Sequence, residues 1–102
     1  MQFLPSAAPA DVGLCPLRAQ RLLDALQSDI DRQRLPGAVV LVARRGRVAL
    51  FEHLGRLDPV SGAAMTRDAI FRIYSMTKPI VSVAVMMLME QGRLLLNDPV
   101  AN

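Results

Sequence analysis

The sequence has little of several features that would assign it to a secreted, disulfide-bonded or membrane class. Cys15 is the only cysteine, so no disulfide can form within the chain, and a reducing compartment is allowed. No lysine or arginine precedes Arg18, and no long apolar run lies near the start, so the sequence carries no recognisable secretory signal. The longest strongly apolar run, residues 80–89, is too short for a membrane span, which takes about 20 residues. We therefore expect a cytoplasmic protein without a membrane-spanning segment.

Aromatic residues are also scarce, at 4% of the chain, and tryptophan is absent. They show no pattern of the stacking platforms that bind single-stranded nucleic acid. The formal charge is +3, but the basic residues are scattered, and only Arg44, Arg45 and Arg47 cluster around Gly46. Such a cluster is typical of a solvated hairpin tip. We therefore expect no nucleic-acid partner.

The sequence is rich in apolar residues. Its 102 residues allow one domain at most, and 52% hydrophobic with 21% charged residues is typical of a globular protein. This apolar share is high for a short chain, which has much surface for its volume and usually needs more polar cover. We therefore expect part of the surface to contact further protein.

The first third of the sequence predicts a loose leader followed by an amphipathic helix. Residues 1–13 are rich in proline, serine and glycine and predict the leader. The helix is expected over residues 16–34, since Leu22, Leu26 and Ile30 recur at helical spacing with charged residues opposite. Proline suits its first turn, and the Leu-Pro-Gly sequence that follows ends it.

The middle of the sequence predicts an antiparallel β-hairpin. Residues 38–43 form a continuous apolar, β-branched run that predicts a strand buried on both faces. Residues 44–47 predict the turn, and residues 48–54 the second strand. In that strand one face is expected to hold Val48, Leu50 and Leu54, and the other Phe51.

A loop and a second helix complete the predicted elements. The loop covers residues 55–66, with Asp58-Pro59 and Ser61-Gly62 as turn signals. The helix is expected from about Ser75 to Gln91, with Gly92 as its C-cap. It is apolar nearly all round, which predicts burial, and its methionines are expected to fill a core rather than bind a metal or cofactor. We expect no cofactor and no metal.

The start of this helix carries a candidate catalytic pair, Ser75 and Lys78. A serine hydroxyl needs a nearby base, and residues three apart share a helix face, so Lys78 can reach Ser75. The positive helix N-terminus and an apolar surrounding both favour a neutral lysine. Lys78 is also the only lysine among many arginines, which do not lose their proton. Pro79 predicts a tight or slightly irregular first turn. The same Ser-x-x-Lys pattern is also expected where the serine only caps the helix and the lysine is exposed to solvent.

The wider pattern resembles the serine β-lactamase and penicillin-binding family, and is most similar to its class C-like branch, which includes esterases. The segments that carry the resemblance lie in the family's order and cover most of residues 17–100: residues 35–40, 65–68, 71–80, 90–94 and 98–100.

This resemblance implies an α+β fold and an acyl-transfer mechanism. The fold would be part of the β-lactamase/transpeptidase-like fold: N-terminal helix, antiparallel hairpin, loop and buried helix. Ser75 would attack the carbonyl of a small ester or amide substrate, such as a β-lactam, a short ester or a peptide, and water would release the acyl group. Lys78 would take the serine proton, and the backbone N–H of Ser75 would form half of an oxyanion hole.

The sequence departs from the family's pattern in two motifs. The family also uses, downstream of the nucleophile, a Tyr-x-Asn or Ser-x-Asn motif and a Lys-Thr-Gly or His-x-Gly strand, and neither occurs after Ser75 here. We therefore expect residues 14–102 to be the N-terminal part of an incomplete domain that is inactive alone and self-associates through uncovered apolar surface.

Two other interpretations stay open. A Ser-His-Asp hydrolase would use His53, the only histidine, but the Gly-x-Ser-x-Gly elbow is missing around Ser75. Alternatively, the chain is a small non-catalytic module whose apolar helix binds a partner or a second copy.

Overall fold

The computed structural model of the chain describes residues 4–101, which fall into two compact units that divide between Ala69 and Ile70. The elements of the first unit are a 3-10 turn, helix α1 and strands β1 and β2, at Pro9–Val12, Pro16–Asp31, Gly37–Arg44 and Arg47–Gly55. Those of the second are a 3-10 turn and helix α2, at Tyr74–Met76 and Thr77–Glu90. Two helices and a two-stranded antiparallel sheet confirm the predicted α+β class.

Helix α1 begins at Pro16 as predicted but ends at Asp31, three residues before the predicted Arg34. Its end is set by Gln33, which adopts a left-handed conformation with φ 58°. The N–H of Gln33 donates to the carbonyl of Ile30, and the N–H of Arg34 donates to that of Asp29, both at 2.9 Å. This pair of bonds is a Schellman motif, and it satisfies carbonyls that the helix leaves without partners.

The predicted hairpin is confirmed, with β1 antiparallel to β2. Arg44 pairs with Arg47, so Arg45 and Gly46 form a two-residue turn. Both have positive φ, 53° and 73°, which is the type I′ geometry that matches the twist of two antiparallel strands.

A bulge at Ala49 corrects the predicted faces of β2. Val42 pairs with Leu50 and Ala43 pairs with Val48, so Ala49 has no partner in the ladder. Neighbouring residues on β1 point to opposite faces, so their partners Val48 and Leu50 do too. The prediction that these two side chains share a face is therefore wrong, because an extra residue breaks the alternation.

Strand β1 is not buried on both faces as predicted. None of its residues is buried, and Leu41 is 54% exposed. Within residues 4–101 the sheet has two strands, and α1 and the first 3-10 turn contact β2. A continuous apolar run indicates that a strand can be buried on both faces. Burial itself also requires another layer of protein against each face.

The expectation of a loose leader is wrong for residues 4–13, and residues 1–3 lie outside the described residues. The N–H of Val48 donates to the carbonyl of Pro5 at 2.8 Å, and the N–H of Ala7 donates to the carbonyl of Val48 at 2.9 Å. Val12, at the end of the 3-10 turn, has 0% exposure and is the largest fully buried side chain among residues 4–101. Other buried apolar residues are Val48, Ala49 and Met65, so this segment helps to form the core of the first unit.

The loop after β2 turns where its sequence predicts. Arg56 and Ala64 form an antiparallel bridge, and Gly62 has φ 76° and donates its N–H to the carbonyl of Asp58. The Asp58 carboxylate accepts the N–H of Val60 at 2.9 Å, and this bond holds the pKa of Asp58 below its usual value. Both predicted turn signals are therefore confirmed.

Close backbone contact joins the two ends of the hairpin. A Cβ atom built on Gly37 would lie 2.8 Å from the carbonyl oxygen of Leu54 and from Cε of Met65. One built on Gly55, which has φ 72°, would lie 2.6 Å from the carbonyl oxygen of Pro36 and 2.9 Å from Cα of Gly37. This space admits glycine and excludes larger residues.

Candidate active site

The candidate site lies in the second unit, where a 3-10 turn leads into α2. Ser75 is the middle residue of the turn Tyr74–Met76, and Lys78 is the second residue of α2. The predicted irregular start is therefore confirmed. Pro79 occupies the third position of the helix, where a missing N–H costs little because the first N–H groups have no helical acceptor.

Helix α2 ends at Glu90, one residue before the predicted Gln91, and Gly92 follows it as the predicted capping glycine. Gly92 has φ 68° and donates its N–H to the carbonyl of Met89 at 2.9 Å. The N–H of Arg93 donates to the carbonyl of Leu88 at 3.0 Å. This is the same Schellman motif that ends α1, here with glycine at the left-handed position.

The predicted burial of α2 is not found in this chain. None of its fourteen residues is buried, and Ile80 and Val83 are 61% and 60% exposed. The described part of the second unit contains no other long helix and no strand that could cover these side chains. The apolar pattern therefore predicted the helix correctly, but the described part of its own unit provides no cover for it.

Ser75 and Lys78 are both exposed. Among residues 4–101 no hydrogen bond joins the Ser75 hydroxyl or the Lys78 amine to another group. The structure thus places the two residues at one end of one helix, without the apolar surrounding expected for Lys78. Their catalytic pairing stays a prediction.

The backbone around Ser75 has one feature that sequence reasoning missed. Tyr74 has φ 47°, a left-handed conformation that a residue with a bulky side chain rarely adopts. The N–H of Met76 donates to the carbonyl of Ile73 at 3.0 Å, whereas the N–H of Ser75 donates to no backbone carbonyl of the described residues. A tyrosine in the sequence does not indicate a left-handed conformation, so this feature follows only from the three-dimensional structure.

The alternative residue His53 lies on β2, opposite Val39, and is exposed. In the described part of the chain, no group of three or more histidine, cysteine, aspartate or glutamate side chains could hold a metal ion. Over the same residues, no helix has the length and apolar character needed to cross a membrane.

Comparison with known proteins identifies the family to which this sequence belongs. Residues 20–102 match the Beta-lactamase family, a range that includes both Ser75 and Lys78. Esterase EstB of Burkholderia gladioli is 40% identical over 82 residues, which are 80% of this chain and 21% of that protein. Protein flp of Staphylococcus aureus is 29% identical over 82 residues, which are 80% of this chain and 16% of that protein.

The chain therefore spans about a fifth of the length of the curated relatives that it matches. The family match nevertheless takes in most of α1, both strands, and the turn and helix that carry the serine and the lysine. With four fifths of its sequence inside that match, this chain is a member of the beta-lactamase family.

Proposed function

We propose that this chain supplies the nucleophile segment of a serine hydrolase, with Ser75 as the nucleophile and Lys78 as its base. One observation carries the proposal: Ser75 lies in the turn that opens α2, three positions before the only lysine, inside the family match. Similarity to an esterase supports ester hydrolysis, and makes a short ester the first substrate to test.

The proposed reaction proceeds in two steps. Ser75 Oγ forms a bond to the carbonyl carbon while Lys78 Nζ accepts the hydroxyl proton. The bond from that carbon to the leaving oxygen or nitrogen then breaks, and the leaving group takes the proton from Lys78. Water next attacks the acyl carbon and gives a proton to Lys78, the bond from that carbon to Ser75 Oγ breaks as the acid departs, and Lys78 returns the proton to Ser75 Oγ.

The position at a helix N-terminus favours the first step. Aligned peptide dipoles place partial positive charge there, which stabilises a serine alkoxide and the oxyanion that develops on the carbonyl. The N–H of Ser75 makes no hydrogen bond to a backbone carbonyl of the described residues, so it is available to donate to that oxyanion. One such donor contributes about 3 kcal/mol in the transition state of other hydrolases.

The exposure of α2 indicates that the pair needs additional protein to work. Lys78 and Ser75 are both exposed to solvent, and the described part of their own unit provides no apolar side chains that cover the pair. We therefore propose that the 102-residue chain does not turn over substrate alone, and that cover over α2 completes the site. The range of acyl donors stays open among β-lactams, short esters and peptides.

A segment exchange tests the proposal. Residues 20–102 replace the matching segment of EstB, and the product is treated with p-nitrophenyl acetate and digested for mass spectrometry. We expect the acetyl group on Ser75, with no acylation in Ser75→Ala. Lys78→Ala and Lys78→Arg should each slow acylation by about 10²-fold or more, since neither side chain accepts a proton.

Ser82→Ala is the matched control, because Ser82 is an exposed serine on the same helix. It should acylate at the rate of the unsubstituted exchange protein. Acetyl on another residue, or a Lys78→Arg protein that reacts at the full rate, would contradict the assignment.

The exposed apolar surface of α2 favours a second candidate, a non-catalytic module that self-associates. Exposed side chains occur all round the helix, among them Ile80, Val81, Val83 and Met87. Sedimentation velocity of the 102-residue chain across a concentration series should then show association that is weakened by Val83→Lys. A monomer with a sharp, concentration-independent melt would exclude this candidate.

A further inference from the structure

Three residues other than glycine have a positive φ in the described part of the chain: Gln33, Arg45 and Tyr74. Two of them have an evident local cause. Gln33 is the left-handed residue after α1, and Arg45 is the first residue of a two-residue hairpin turn that requires positive φ at both positions. Tyr74 belongs to neither a helix C-terminus nor a hairpin.

Hydrogen bonds hold the backbone of Tyr74 in this conformation. The N–H of Met76 donates to the carbonyl of Ile73, and the N–H of Thr77 donates to that of Tyr74. Ile73 before it and Met76 after it are right-handed, with φ −94° and −66°. The chain therefore changes handedness for one residue, immediately before Ser75, and then enters α2.

Side-chain packing does not account for the conformation, because Tyr74 is 80% exposed. In an L-residue with positive φ, Cβ lies close to the following carbonyl oxygen, and bulky residues tolerate this poorly. Strained backbone of this kind concentrates at functional sites, where the geometry that it imposes is part of the mechanism.

We propose that Tyr74 is a positioning residue for Ser75, an inference that rests on the proposed function. Its left-handed backbone sets the direction in which the Ser75 hydroxyl projects from the turn before α2. A right-handed Tyr74 would continue the helix back to Ile73. Ser75 would then project from the side of a longer helix instead of from its irregular first turn.

The acylation rate of Ser75 should then depend on how readily residue 74 adopts positive φ, and not on the phenol ring of Tyr74. Glycine adopts positive φ without strain, and asparagine tolerates it better than most residues. Valine is β-branched and is poorly suited to positive φ. Tyr74→Phe removes the hydroxyl alone and keeps the backbone preference. These four substitutions separate a role of the backbone from a role of the side chain.

The acylation rate of Ser75 by p-nitrophenyl acetate is measured in the EstB exchange protein for all four variants. In this step the bond from Ser75 Oγ to the acetyl carbon forms, and p-nitrophenolate leaves. We expect Tyr74→Gly, Tyr74→Asn and Tyr74→Phe to react at about the unsubstituted rate. Tyr74→Val should react roughly tenfold more slowly at saturating ester, a barrier change of about 1.4 kcal/mol, with an unchanged half-saturating concentration.

A second measurement uses the 102-residue chain itself. Backbone chemical shifts of residue 74 should indicate left-handed geometry in the unsubstituted, glycine, asparagine and phenylalanine forms, and its loss in Tyr74→Val. A right-handed residue 74 in the unsubstituted chain would overturn the inference.

The kinetic outcomes distinguish failure of the inference from failure of the proposed function. Equal rates for Tyr74→Val and Tyr74→Gly would overturn the positioning role while Ser75 stays the nucleophile. A Tyr74→Phe protein as slow as Tyr74→Val would assign the effect to the hydroxyl and would also overturn it. If Ser75→Ala is acylated as fast as the unsubstituted protein, both proposals fail together.

Discussion

The two helices of this chain end alike but differ in how far their residues are exposed. Both finish in a Schellman motif, with Gln33 in the left-handed position after α1 and Gly92 in that position after α2. Helix α1 has one apolar side and contacts β2. No residue of either helix is fully buried, but α1 has several half-buried residues, whereas α2, which is apolar nearly all round, is exposed except at Leu88 and Met89.

This difference separates local from non-local determinants. A helix end is formed by hydrogen bonds among residues a few positions apart, so the motif recurs whatever surrounds the helix. Burial depends on whether another element lies against the apolar side, and α1 has such an element within its own unit. Paired substitutions in the two units can test how far this distinction holds.

The largest effect is expected from Gly55→Ala, with Gly92→Ala as its matched control. Both glycines have positive φ, 72° and 68°, but a Cβ on Gly55 would meet the backbone of Pro36 and Gly37, whereas nothing lies within 4 Å of one on Gly92. Gly55→Ala should reduce the free energy of unfolding by about 3 kcal/mol, and Gly92→Ala should cost about 1 kcal/mol from strain alone. Urea unfolding followed by circular dichroism measures the difference. Equal losses would show that the hairpin ends can separate freely.

A smaller effect is expected from removing two methyl groups from the core. Val12 is 0% exposed in the first unit, and Val83 is 60% exposed on α2. Val12→Ala should lower the free energy of unfolding by about 2 kcal/mol, because it removes fully buried apolar surface. Val83→Ala should change stability by less than about 0.5 kcal/mol, since the side chain is solvated and alanine favours a helix. The same urea titration compares them, and a large loss for Val83→Ala would indicate that α2 is covered in solution.

The smallest effect is expected at the end of α1. Gln33→Gly puts glycine at a backbone φ of 58°. Glycine already occupies the equivalent position after α2. Relief of backbone strain should raise the free energy of unfolding by up to about 1 kcal/mol. Thermal unfolding measures the gain, with Gln27→Gly inside α1 as a control that should destabilise the helix by a similar amount. A loss of stability in Gln33→Gly would show that the glutamine side chain contributes more than its backbone conformation costs.

Sequence patterns predicted the helices and strands better than they predicted the contacts and burial of those elements. The helical spacing of Leu22, Leu26 and Ile30 predicted α1, and Gly92 predicted the end of α2. The bulge at Ala49 was missed, because no residue type distinguishes a bulge from a regular strand. The order of residues 4–13 was missed as well, since Pro5 and Ala7 bind Val48, which is distant in sequence.

At the candidate site the sequence predicted which residues share the start of a helix and did not predict their exposure. Family membership was also predictable, since the segments around Ser75 and upstream carry it. The left-handed Tyr74 was not, because a single backbone angle is selected by the turn as a whole.

The sequence by itself determined the two helices, the hairpin, their end motifs and the family, because each follows from contacts between near neighbours or from the order of motifs along the chain. Only the tertiary structure decided that Val12 is buried while α2 is exposed, and that Ser75 follows a strained residue. Burial depends on which distant groups fill the surrounding space, and the Tyr74 conformation depends on the hydrogen bonds of the whole turn, so neither follows from the type of a single residue.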